Sequence, residues 1–94
     1  KYVGDITYLW TDEGWLYLTA VIDLFSRQVI GWSMRPHMQT SAVTDALRMA
    51  WFRRRPAPGL IFHSDRGSQY CSHELQTVLA GYKMKSSMSR KGDC

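Results

Sequence analysis

Apolar and β-branched positions dominate the first third of the chain and are broken twice by short polar runs. Tyr2 to Trp10 carries Val3, Ile6, Thr7, Tyr8 and Leu9, the composition of a strand. Thr11-Asp12-Glu13-Gly14 reads as a turn. Trp15 to Leu24 then alternates with apolar side chains on both faces: Trp15, Tyr17 and Val21 on one, Leu16, Leu18, Ala20 and Ile22 on the other. Such a strand is expected to be central and covered on both sides. Phe25-Ser26-Arg27-Gln28 is a second turn, and Val29 to Met34 a third strand in which Gly31 predicts a bulge. Links this short favour antiparallel neighbours.

After Pro36 the period changes from two to that of a helix. Val43, Ala46, Leu47, Ala50 and Trp51 fall on one helical face, with Thr40 as the expected N-cap. Arg53, Arg54 and Arg55 close this helix, where cations suit its dipole, and read as a solvated end. Pro56 and Pro58-Gly59 stop it. Leu60 to His63 is a short strand and Ser64-Asp65-Arg66-Gly67 a loop. Ser72 is placed to cap a second helix that buries Leu75, Val78 and Leu79 and ends at Gly81. Lys83 to Met88 alternates as a fifth strand. The order βββ-α-β-α-β predicts an α/β fold, a mixed five-stranded sheet with helices packed on it.

Composition narrows this further. With 94 residues, 45% hydrophobic and 13% aromatic, the chain is sized for one folded domain spanning residues 1–94. The tryptophans and tyrosines fall on strand and helix faces and are expected mostly in the core. A net charge of +4 is compatible with a polyanionic partner. The two cysteines, Cys71 and Cys94, form neither a metal-ligand spacing nor a disulfide framework, and reduced thiols in the cytoplasm are the simplest reading. No run approaches the roughly 18 apolar residues of a membrane span. The chain begins at Lys1 without an initiator Met and reads as part of a longer protein.

Two acids stand out. Asp5 lies inside an apolar strand, where burying a carboxylate is expensive without a partner or a cation. Asp65 follows the strand Leu60 to His63 at its C-terminal end, where α/β sheets place ligands. Two acids on adjacent strands would converge on a hard cation. The plainer alternative is an edge-strand acid and an ordinary turn Asp. Asp12 and Glu13 are turn residues, Asp23 a turn-stabilising acid, Asp45 a polar-face residue and Glu74 a first-turn acid at a helix dipole. Asp93 is a poor ligand candidate. His63 precedes Asp65 by two, so alternation puts both on one face; a hydrogen-bonded structural role is its first reading.

Five blocks occur in one order: Gly4-Asp5-Ile6-Thr7-Tyr8, Val21-Ile22-Asp23-Leu24-Phe25-Ser26-Arg27, Ile30-Gly31-Trp32, His63-Ser64-Asp65-Arg66-Gly67-Ser68-Gln69-Tyr70 and Ser87-Met88-Ser89-Arg90-Lys91-Gly92-Asp93-Cys94. Together they resemble the integrase core domain of bacterial insertion-sequence transposases, the branch similar to retroviral integrases. The resemblance implies a ribonuclease H-like fold, cut short here before its last helices, and an Asp-Asp-Glu site. Asp5 and Asp65 match its two aspartates as catalytic and metal-binding residues, and the Glu is implied beyond Cys94. It also implies magnesium or manganese, two ions in the complete enzyme and weak or absent binding in this chain alone. DNA is the implied substrate, with cleavage and strand transfer in the longer protein. Arg66, Gln69, Lys85, Arg90 and Lys91 are the expected DNA contacts. Two other readings stay open: a ribonuclease H-like nuclease that only hydrolyses, and a non-catalytic DNA-binding or assembly fragment. Apolar surface left bare by the absent helices predicts a homo-oligomer.

Overall fold

A computed structural model describes residues 1–64 and 72–88. The elements are β1 (Tyr2–Thr11), β2 (Gly14–Asp23), β3 (Gln28–Arg35), α1 (Thr40–Arg54), β4 (Ile61–Ser64), α2 (His73–Gly81) and β5 (Lys85–Met88). They form one five-stranded sheet in the order β3-β2-β1-β4-β5. The first three strands are antiparallel neighbours, whereas β4 joins β1, and β5 joins β4, in parallel. The expected order and the mixed sheet are both present.

The hairpin between β1 and β2 closes as its composition dictates. Gly14 takes φ +107, a conformation that L side chains rarely adopt, and the Thr11 hydroxyl donates to the Gly14 carbonyl at 2.8 Å. At the second turn the Asp23 carboxylate accepts the Phe25 N–H at 2.9 Å, the turn-stabilising role expected of it.

Both helices pack on one face of the sheet. Tyr2, Val21, Ile30 and Phe62 meet Val43, Ala46, Leu47 and Ala50 of α1 and Leu75 and Leu79 of α2 in a single core. Ser33, buried on the same side, donates to the Ala42 carbonyl at 2.6 Å, so its burial leaves no donor unmet. Gly31 is where α1 comes closest. A Cβ there would collide with the Ala46 carbonyl oxygen and stand 2.9 Å from the Ala50 nitrogen. The bulge expected at Gly31 falls beside it: Val21 pairs with Gly31 and Ile22 with Val29, leaving Ile30 as the extra residue. Glycine is required there by helix approach rather than by the bulge.

The structure corrects several expectations. Thr40 is the first helical residue of α1; Gln39 occupies the cap without a side-chain bond to the helix N–H groups, and its carbonyl accepts the Ala42 N–H. Ser72 does cap α2, accepting the Leu75 N–H at 3.1 Å. Gly81 remains helical, and the left-handed residue after α2 is Lys83, at φ 58. Its N–H reaches the Ala80 carbonyl while the Met84 N–H reaches Leu79, a Schellman closure two residues later than the glycine suggested. β2 is covered on one face only among the described residues. Leu16, Leu18 and Ile22 on its other face are half-buried, and Trp32, Met34 and Val29 beside them are exposed. Apolar alternation reports a strand's chemistry, not what lies over it.

Replacing Gly31 with Ala is expected to destabilise the fold by about 1–3 kcal/mol through overpacking. Gly81→Ala, with nothing within 4 Å of the new methyl, should instead stabilise by about 0.5–1 kcal/mol. Thermal unfolding of both variants reads the opposite signs directly.

Candidate active site

The sheet face opposite the helices carries the candidate site residues. Cross-strand pairing puts Val3, Asp5 and Thr7 of β1 on this face, beside Ile22, Ala20 and Leu18 of β2. Asp5 pairs with Ala20, which pairs with Trp32. On the other flank Val3 pairs with His63, which pairs with Ser87. Asp5, His63 and Ser87 therefore share one face, two residues of strand separating Asp5 from the level of His63.

Asp5 is exposed, not buried. The expected desolvation cost does not arise, because nothing described lies over this part of the sheet. One carboxylate oxygen accepts the N–H of Ile6 at 3.0 Å. The second has no protein partner among the described residues and faces solvent. Asp65 lies outside the described residues. Its predecessor Ser64 pairs with Gly4, the residue before Asp5.

His63 has the hydrogen-bonded role that was its first reading. Its Nδ1 lies 3.0 Å from the Ser87 hydroxyl, a contact across β4 and β5 that ties the imidazole to the sheet. Ser87 was missed as its partner; alternation along β5 was the available signal. Glu74 sits in the first turn of α2, as expected of a dipole-stabilising acid. Asp45 pairs with Arg35 and, at 3.6 Å, with Arg48. None of these joins Asp5. Among the described residues no group of three His, Cys, Asp or Glu side chains is gathered to hold a metal. Among the described residues Asp5 offers a carboxylate oxygen on the open face with no described partner, a donor suited to a hard cation such as magnesium.

Of the expected DNA contacts only Lys85 is described. It is exposed, and its pairing with Ile61 puts it on the Asp5 face. Strand spacing sets it about 10 Å across the sheet and about 13 Å along it from Asp5. Arg66, Gln69, Arg90 and Lys91 lie outside the described residues.

The aromatic residues depart from expectation. Tyr8, Trp10 and Trp15 are 58%, 69% and 58% exposed at the far end of the β1–β2 hairpin, beyond the reach of the helices. Tyr8 packs edge-on against Tyr17 at 4.7 Å between ring centres, and Trp10 against Trp15 at 5.2 Å. Tyr2, by contrast, is buried in the core. Burial first, and the nearby Asp23 carboxylate second, raise its hydroxyl pKa, while Arg54 opposes them.

Comparison with known proteins covers the same ground. The family model described as integrase core domain matches residues 1–94. The chain is 56% identical over 94 residues to transposase InsF for insertion sequence IS3A of Escherichia coli (strain K12), covering 100% of this chain and 33% of that protein. It is 49% identical over 92 residues to the transposase for insertion sequence element IS904 of Lactococcus lactis subsp. lactis (strain IL1403), covering 98% of this chain and 36% of that one. It thus spans about a third of the length of these relatives. In shape it is similar to the HTLV-2 integrase catalytic core domain solved in complex with magnesium (trimeric form), with a TM-score of 0.80, 23% identity, and 93% of this chain and 57% of that chain covered. The match to the simian T-cell lymphotropic virus intasome has a TM-score of 0.81 at 21% identity, over 93% of this chain and 30% of that one.

Since Asp5 is solvated and outside the core, Asp5→Asn should change unfolding free energy by no more than about 0.5 kcal/mol. A melting point several degrees lower would contradict the exposed placement.

Proposed function

The chain belongs to the integrase core domain family, and from that premise we propose that it serves a transposase in metal-dependent cleavage and transfer of DNA strands. The observation that carries this reading is the β1–β4 register. Gly4 pairs with Ser64. Asp5 follows the first of these in the chain and Asp65 the second, which supports reading the two acids as one site. Asp5 and Asp65 would hold magnesium or manganese through carboxylate oxygens. Bound there, the metal supplies charge to activate a water or a DNA 3′-hydroxyl and to stabilise the phosphodiester under attack.

The chain's own residues set the rest. The Ile6 N–H fixes one oxygen of Asp5 and leaves the other directed to solvent. Open access on this face admits a substrate as large as DNA. Lys85, on the same face, contacts its backbone, and Arg66, Gln69, Arg90 and Lys91 extend that contact. His63, held by Ser87, is a positioning residue for the strand that leads into Asp65. The exposed Trp32, Met34 and Val29 favour self-association of the protein.

In a protein of its relatives' full length carrying this sequence, Asp5→Asn or Asp65→Asn should lower strand cleavage and joining by at least about 1,000-fold, on the order of 4 kcal/mol of transition-state stabilisation. DNA binding should persist. Cleavage retained by either variant refutes the assignment. Cleavage without any joining of two DNA ends identifies a hydrolytic nuclease of the same fold instead.

A further inference from the structure

The helix side of the sheet carries a second feature, well away from Asp5. Where β3 begins and α1 ends, a concavity of about 350 Å³ is lined by Gln28, Val29, Ile30, Arg53 and Arg54. We propose that this concavity is a second DNA-backbone site, in which Arg53 and Arg54 bind duplex phosphates.

Three observations separate it from an ordinary solvated helix end. The first is the fixing of Arg54. Its Nη2 donates to the Gln28 Oε1 at 2.7 Å, a bond between α1 and β3 rather than to the helix's own carbonyls. A guanidinium has five N–H donors, so this bond leaves most of them for a ligand while holding the fork in place. Orienting the group beforehand lowers the entropy lost on binding.

The second is charge. In the middle of the same helix Arg48 is paired with Asp45, which also takes Arg35 from the end of β3. Among the described residues Arg53 and Arg54 have no carboxylate within ion-pair distance. Asp23 is the nearest acid by register, opposite Gln28, and its Oδ1 is engaged by the Phe25 N–H in its own turn. Arg27, in the turn before Gln28, adds a further cation. Arg55 has a separate role: its guanidinium lies over the rings of Trp51 and Phe52, at 4.5 and 4.9 Å.

The third is the strand. β3 is an edge of the sheet, so it carries backbone amides without a sheet partner beside the arginines. The α1 dipole opposes an anion at this end, but its effect fades within a turn and is screened by salt. Two guanidinium charges outweigh it.

The site's position gives it a purpose. Asp5 is on the open face of the sheet, and this concavity is two strands away on the helix face. Resting on the strand-transfer reading, the DNAs that are joined meet at the metal on the Asp5 face. The arginine concavity holds duplex that flanks that junction.

Fluorescence anisotropy of a labelled random-sequence duplex, titrated with the 94-residue chain at several salt concentrations, tests this. The double variant Arg53→Gln/Arg54→Gln should weaken binding about tenfold and flatten the log–log salt slope by about two, one per phosphate contact. Gln28→Ala, which only releases Arg54, should weaken it about threefold. Arg48→Gln, one charge fewer in the middle of α1 where the cation is already paired with Asp45, should stay within about twofold. Arg53→Lys/Arg54→Lys keeps the charge and so should keep the slope, losing only the affinity due to the fixed fork; it stands in if the glutamine pair unfolds. An unchanged slope in the double variant, or an equal loss in Arg48→Gln, overturns the proposal. Because this assay reads binding and no chemistry, it fails or succeeds independently of Asp5→Asn, which should leave anisotropy unchanged.

Discussion

Three parallel pairs, Tyr2 with Phe62, Val3 with His63 and Gly4 with Ser64, join the antiparallel half of the molecule to its helical half. Parallel strands cannot be joined by a tight turn, so the chain must leave the sheet and return, and α1 is part of that excursion. Tyr2 and Phe62, the first of these pairs, are both buried in the core beneath the helices. The ladder is therefore held by hydrophobic packing on one face while it aligns residues on the other. If β4 slipped by one residue, Phe62 would turn out of the core, and the approach of Ser64 to Gly4 would be lost with it.

This division separates stability from chemistry. The helix face contains the packed core, the buried Ser33 hydroxyl and the close approach of α1 at Gly31. Asp5, the His63–Ser87 contact and Lys85 occupy the opposite face, where the described residues place nothing over them. A carboxylate there costs little, so Asp5 is free to be chosen for ligation rather than for packing. The same geometry puts Arg53 and Arg54 at the edge of the helix layer, so that two sets of charged groups look outward in different directions.

Much of this was legible in the sequence because it depends on periodicity or on local turn chemistry. The three antiparallel strands followed from alternation and from two short turns, and the face of α1 from the recurrence of Val43, Ala46, Leu47 and Ala50. Ser72 was readable as a cap because its side chain acts within one turn. Asp5 stood out as a lone acid in an apolar strand, although its exposure did not follow: strand composition cannot say whether a face is covered. The left-handed residue after α2 was misplaced because Gly81 is the usual choice, and Lys83 takes that conformation instead. The tie between Gln28 and Arg54 joins residues far apart in sequence, and no local pattern announces it. Nor could alternation reveal that the hairpin aromatics extend past the helices that would have buried them.

Asp5 adjoins the Gly4–Ser64 pair, and its proposed role is to hold a metal together with Asp65, which follows Ser64 in the chain. Paramagnetic broadening of backbone amide resonances by manganese tests it most directly, since even weak binding registers near the ion. In a protein of its relatives' full length carrying this sequence, broadening should centre on Asp5 and Ser64, spare the Trp10–Trp15 hairpin end and Arg54, and vanish in Asp5→Asn. Broadening centred on Asp12, Glu13 or Asp45, none at all, or a pattern unchanged by Asp5→Asn would contradict the account.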